Sequence, residues 1–262
     1  MIIEDKRPGG ASWWGIVAER ARACGWQLLA VSAVAEVAVE VATYAVPWDD
    51  AERVVRTVLV VLLSACEYGL AMRLLAFGPR SAAVLRVPPR QLGLMTLWSA
   101  LLSVSVLSEL LLALSPATAM DLYRGPQWLP VALLALLGGA VAAPLPAAVF
   151  LEDGGLRASW RLLRGGWPTA LRLCAIALVG AVAELLIQEL YVDVFFASES
   201  PFVALVTRAL VVPLHFALLL ALFATYLRSP AARPAGPLAG PAAEPSAYPP
   251  VDAAFGAPGA VR

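Results

Sequence analysis

The sequence predicts an all-α polytopic membrane protein of six transmembrane helices, and three observations predict it. Six apolar stretches follow one another near residues 28–46, 54–77, 92–114, 128–150, 170–195 and 202–227. Each runs to about the twenty residues that the hydrocarbon core of a bilayer demands of a helix. Of the 262 residues, 60% are hydrophobic and 15% charged, against about a quarter charged in soluble domains. Arginines crowd onto alternate connections between the stretches. Leu, Ala and Val fill the stretches without the alternation of a β-barrel strand, and the connections are too short for a soluble domain.

Residues 1–27 are expected as a cytoplasmic N-terminal segment. Within it, Trp13, Val17, Ala21, Cys24 and Leu28 form an apolar stripe while Glu19, Arg20 and Arg22 are polar, which predicts an amphipathic helix over 13–27. The first span starts late, is too long for the apolar core of a secretory leader and contains Glu36 and Glu40, so no cleavable leader is expected. In the fourth span, Gly138-x-x-x-Ala142 offers a small face for close helix packing. Pro144 and Pro146 mark a bend at that span's cytoplasmic end.

Between the fourth and fifth spans, Leu156, Trp160, Leu163 and Trp167 share one helical face. Arg157, Arg161 and Arg164 share the adjacent one. A helix over 154–167 is therefore expected to lie in the interface, indoles at the acyl boundary and guanidinium groups among anionic headgroups. An ordinary connecting helix carrying common juxtamembrane anchors explains the same residues without specific lipid recognition. In the sixth span, Pro213 precedes His215 by two residues and is expected to kink the helix, exposing a carbonyl near the midplane. The tail, 228–262, is Ala and Gly punctuated by Pro230, Pro234, Pro237, Pro241, Pro245, Pro249 and Pro250. It cannot build a core and is expected to be disordered or PPII-like. Its Pro234-Ala-Gly-Pro237 matches PxxP as such tails do by chance.

Orientation follows from arginine, because short cytoplasmic loops carry the excess of basic residues. Lys6, Arg7, Arg20 and Arg22 precede span one; Arg73, Arg80, Arg86 and Arg90 surround the second connection; Arg157, Arg161, Arg164 and Arg172 surround the fourth; Arg228, Arg233 and Arg262 follow span six. The opposite connections hold Asp49, Asp50, Glu52, Asp121, Asp193 and Glu199, with only Arg53, Arg56 and Arg124 against the trend. Both termini are thus expected in the cytoplasm of a bacterial cell whose inner membrane holds the chain. Eighteen Arg against one Lys, with abundant Ala, Gly and Pro, suits a GC-rich bacterial genome. Cys24, Cys66 and Cys174 have neither disulfide nor metal spacing. Sliding the sequence by 141 positions aligns Arg20, Gly25 and Trp26 with Arg161, Gly166 and Trp167. Each copy feeds a pair of spans, which suggests a parallel internal repeat.

The run from Glu152 through Leu156, Ser159-Trp160, Leu162 and Arg164-Gly165 to Trp167 resembles a recurrent segment of a bacterial family. Its members are multi-span proteins related to the membrane domain of glycerophosphoryl diester phosphodiesterases. The ending Phe223-Ala-Thr-Tyr226-Leu-Arg228 resembles that family's exit from its last helix. The layout matches over 13–228, while specific similarity is confined to 152–167. The resemblance implies a helical membrane domain. It does not imply phosphodiesterase activity, which in that family belongs to a soluble domain with clustered acidic and His metal ligands; this sequence has one His.

An ionisable residue inside a span is costly, faces protein or water, and is a default site hypothesis. Glu36, Glu67, Glu184 and His215 lie within a turn of their span centres, and Glu40 is one turn from Glu36 on the same face. Glu109, Glu189 and Arg208 lie roughly 8–11 Å toward the outer leaflet at the helical rise, so Arg208 is expected to pair with Glu189 or Glu109. Two readings compete. In one, Glu36, Glu40, Glu67, Glu184 and His215 line a polar cavity for a cationic or amphipathic ligand, with His215 exchanging a proton near neutral pH. In the other they are protonated or paired glue between helices. Nothing in the sequence brings them together, so glue and a non-enzymatic accessory or scaffold role come first, and a transporter or lipid-handling protein second. No His-x-x-x-His pair, Gly-x-Ser-x-Gly elbow, phosphate loop or nucleic-acid patch is present. No metal site or cofactor is expected. The expected partners are anionic lipid headgroups and a membrane protein or second copy of the chain.

Overall fold

The computed structural model describes residues 12–45, 50–102, 138–198 and 209–233, and these are helical, with no strand among them. α1 spans Trp13–Ala45, α2 Asp50–Phe77 and α3 Pro89–Leu102, with a 3₁₀ turn at Ala82–Leu85 between the last two. After a helical stretch at 138–142 come α4 (Leu145–Phe150), α5 (Leu156–Leu163), α6 (Trp167–Ser198) and α7 (Val211–Arg228). α2 lies against α1, α3, α4 and α7; α7 also packs on α1 and α6. Leu28, Met72, Leu75, Leu145, Leu162, Leu173 and Phe223 knit these helices into one core. Outward faces carry exposed Val34, Val37, Val41, Val55, Val58 and Leu62 on α1 and α2, and Leu178, Val179, Val182 and Leu186 on α6. Apolar residues on the outside as well as inside mark helices solvated by lipid.

Among the described residues three helices are long and apolar enough to cross a membrane, Trp13–Ala42, Val54–Phe77 and Val211–Arg228, and a fourth is counted if α5 and Trp167–Ala183, bent by 115°, are taken as one span. The expected third span from residue 103 onward and the expected fourth span up to residue 137 lie outside the described residues, as do most of the tail and the start of the sixth span. α7 begins at Val211, capped by Leu210. The new start lies two residues before Pro213, whose ring and missing N–H disfavour the preceding turn.

Two elements depart from expectation. α1 runs unbroken for 33 residues, about 50 Å, so the amphipathic stretch 13–27 is the first part of the spanning helix and not a separate element. Its stripe nonetheless faces the core, with Cys24 and Leu28 buried. The Trp13 indole N–H donates to Thr225 Oγ1 at 3.0 Å, pinning the start of α1 to the end of α7. The expected helix over 154–167 stops at Leu163, because Gly166 takes φ 138° and Trp167 opens α6. The aligned stretches of the suspected repeat thus differ: Gly25 sits mid-helix against the Phe216 ring, whereas Gly166 is a break.

The helical break at residues 143–144 explains the Ser-Trp run. Helix pauses at residues 143–144, where Pro144 caps α4. The Val141 carbonyl instead accepts a 2.6 Å hydrogen bond from Ser159 Oγ, a fully buried hydroxyl on α5. Gly165 is required by packing: a Cβ there would stand 2.8 Å from both Ala231 Cβ and Ser229 Oγ. The small face expected on the fourth span is also used, a Cβ on Gly138 coming within 3.1 Å of the Leu102 carbonyl oxygen.

Candidate buried Glu/His site

The three central helices carry a polar stripe into an apolar interior. On α1, Ser32, Glu36 and Glu40 recur every fourth residue on one face, and all three are buried. On α2, Arg56, Thr57 and Glu67 are buried, and the eleven-residue step from Arg56 to Glu67 returns to the same helical face. On α7, His215 follows Pro213 and is half-buried. Glu36, Glu67 and His215 meet. His215 Nδ1 lies 3.4 Å from Glu36 Oε1 and 3.4 Å from Glu67 Oε1. One ligand atom from each of the three residues lies within 4.8 Å of the others.

Charge-assisted N–H···O bonds run at about 2.7–2.9 Å, so these 3.4 Å separations are long for a closed ion pair. One imidazolium balances one carboxylate. Two carboxylates this close call for positive charge beside them, since two buried like charges do not coexist cheaply. Glu40, Arg56 and Thr57 lie toward the α1–α2 connection, each with interactions of its own.

Of the residues singled out from sequence, Glu36, Glu67 and His215 are thus brought together, and Glu40 lies a turn away. Glu184 and Glu189 are on α6, but their side chains lie outside the described residues, as do Glu109 and Arg208 entirely. Among the interfacial residues, Trp167 is 77% exposed, Trp160 and Arg157 are exposed, and the Arg164 guanidinium sits 4.8 Å above the Trp160 ring. Arg161 departs from expectation. Instead of reaching for headgroups, it pairs with the buried Glu152 carboxylate and donates from Nε to the Ala231 carbonyl. Glu152 also accepts the Arg233 backbone N–H at 2.6 Å. The α4–α5 connection thereby holds the start of the tail.

Sequence reasoning missed Arg56, Thr57 and Ser32. Arg56 counts with the α1–α2 connection in the arginine distribution, yet it is 8% exposed inside α2. Its signal is the Val54–Leu63 run, apolar but for Arg56-Thr57. No protein-family model, no curated protein and no solved structure matches this chain.

Proposed function

We propose that this chain is a six-span, non-enzymatic protein of a bacterial inner membrane, both termini cytoplasmic, that binds a cationic ligand at Glu36, Glu67 and His215. The observation that carries this reading is the meeting of two buried carboxylates and one imidazole from three helices, each carboxylate oxygen 3.4 Å from the imidazole Nδ1. It supports a carrier or ligand-responsive role over a plain scaffold, because binding sites need convergent polar groups. Kinship with the membrane domain of glycerophosphoryl diester phosphodiesterases belongs to the proposal too, supported by residues 152–167. Anionic headgroups at Arg157, Arg164, Trp160 and Trp167 complete it.

Native mass spectrometry of protein gently extracted from its own membrane tests the site. A cationic ligand held by the wild type and lost in Glu36→Gln/Glu67→Gln, with the variant still folded, is the expected result. A wild type without ligand, beside a variant that only loses stability, returns the cluster to helix glue. Topology is tested separately by single cysteines at positions 5, 122 and 240. Only position 122 should react with an impermeant maleimide added outside intact cells.

The accessory-scaffold reading is favoured by one observation: Glu36, Glu40 and Glu67 are each more than nine-tenths buried. A stoichiometric protein partner with no retained ligand is its signature in the same experiment.

A further inference from the structure

We propose that Glu36, Glu67 and His215 form a divalent metal site taking a zinc- or manganese-class ion. The inference rests on reading the cluster as a cation site and narrows the cation. The geometry is the first argument. A tetrahedral ion bonded to nitrogen and oxygen at about 2.0–2.1 Å holds its ligand atoms about 3.3–3.4 Å apart. The two separations from His215 Nδ1 are both 3.4 Å. They match two edges of such a polyhedron, and the third closes when the two carboxylates draw together on the ion, the three ligand atoms lying within 4.8 Å of one another.

Charge is the second argument. Two carboxylates and a neutral imidazole carry two negative charges, which one divalent ion cancels. A monovalent ion leaves a net charge among apolar helices, where it is expensive. Ligand type is the third. Imidazole with carboxylate oxygen suits zinc, manganese and ferrous iron, while the absence of sulfur from the set argues against cuprous copper. Three protein ligands leave a fourth position open, as in sites that exchange a bound molecule.

A further observation comes from outside the triad. Ser32 Oγ is fully buried one turn before Glu36 on the same face, and it makes no hydrogen bond. A buried hydroxyl without a partner is costly to keep. Supporting a carboxylate ligand or a metal-bound water is a role that such a donor fills around metal sites. Glu67 Oε1 likewise makes no hydrogen bond of normal geometry, though it faces His215. The site is assembled only when α1, α2 and α7 are packed together, so the ion would also clasp these helices.

The experiment uses the full chain in lipid nanodiscs, stripped with chelator and then titrated with Zn²⁺, Mn²⁺ and Co²⁺. Bound metal is read by elemental analysis and coordination by the Co²⁺ visible spectrum. One equivalent per chain is expected, with the intense bands of four-coordinate Co²⁺. His215→Gln and Glu67→Gln should each weaken binding by about 100-fold or more, and Ser32→Ala by about 10-fold. The wild-type stoichiometry and spectrum decide the matter even where a variant fails to fold. Wild type that binds no metal above background overturns the inference. If that protein holds an organic cation lost in Glu36→Gln/Glu67→Gln, the metal falls and the cationic site stands. If it holds no ligand at all and the variant loses only stability, both fall.

Discussion

Replacing Ser159 by Ala tests whether the α4–α5 junction is held by one hydroxyl. Ser159 is fully buried, and its Oγ donates to the Val141 carbonyl at 2.6 Å. That carbonyl is at the helical break on residues 143–144, so its usual partner is lost. Alanine adds no volume and removes one oxygen, so the packing term is small. What remains is a hydrogen bond lost and a carbonyl facing an apolar wall. A group left this way costs about 1–3 kcal/mol. Thr96→Ala is the control, because Thr96 Oγ1 bonds only its own helix at the Leu92 carbonyl, 2.9 Å away. Back-bonding of that kind contributes little, and a change within about 0.5 kcal/mol is expected. Equilibrium unfolding of both variants in mixed micelles, followed by tryptophan fluorescence, separates them. If Ser159→Ala unfolds within about 0.5 kcal/mol of wild type, the hydroxyl does not hold the junction and the account of the Ser-Trp run is wrong.

Three further outcomes are expected. Glu152→Ala removes the acceptor for the Arg161 guanidinium and the Arg233 N–H; it should cost about 1.5–3 kcal/mol and speed tryptic cleavage after Arg228. Gly69→Ala puts a Cβ 3.0 Å from the Phe150 ring and 3.2 Å from Val87; a loss of about 1–3 kcal/mol in the same unfolding assay should be partly recovered by Phe150→Leu. Trp13→Phe keeps an aromatic ring edge-on to Trp14 but deletes the bond to Thr225, and should lower stability by about 0.5–1.5 kcal/mol.

Much of the fold was legible because lipid imposes a one-dimensional rule. A run of about twenty apolar residues must be a helix, since no water is present to satisfy its backbone. That rule located α1, α2, α6 and α7 and made Pro213 a sensible place for a helix to restart. It failed on the amphipathic stretches. The residues of 13–27 continue into α1 because nothing between Gln27 and Leu28 breaks a helix, whereas Gly165-Gly166 ends α5 at once. Polarity alone does not separate the two cases; the glycines do. Glu36, Glu67 and His215 were legible one at a time, as charges too deep in their spans. Their meeting was not, because it depends on which helices are neighbours. Arg56 was missed for a related reason: counted as a loop charge, it was excused from the question asked of every buried one.

The sixteen residues that carry the family resemblance and the three that form the cluster do different work. Ser159 repairs the bend of the fourth span, Gly165 lets the tail cross, and Glu152 with Arg161 holds Ala231 and Arg233. Each of these residues has a structural task that accounts for its chemistry. The Ser-Trp-x-Leu-x-Arg-Gly run is therefore a way of joining helices and leaves the activity open. Glu36, Glu67 and His215 bring three costly polar groups to one place between three helices. Apolar side chains of similar volume would pack α1 against α2 and α7 at lower cost, since a buried ionic cluster is weak support for stability. Function in this chain is accordingly sought where the polar groups are expensive to bury and incompletely satisfied by one another, not where the motif is most recognisable.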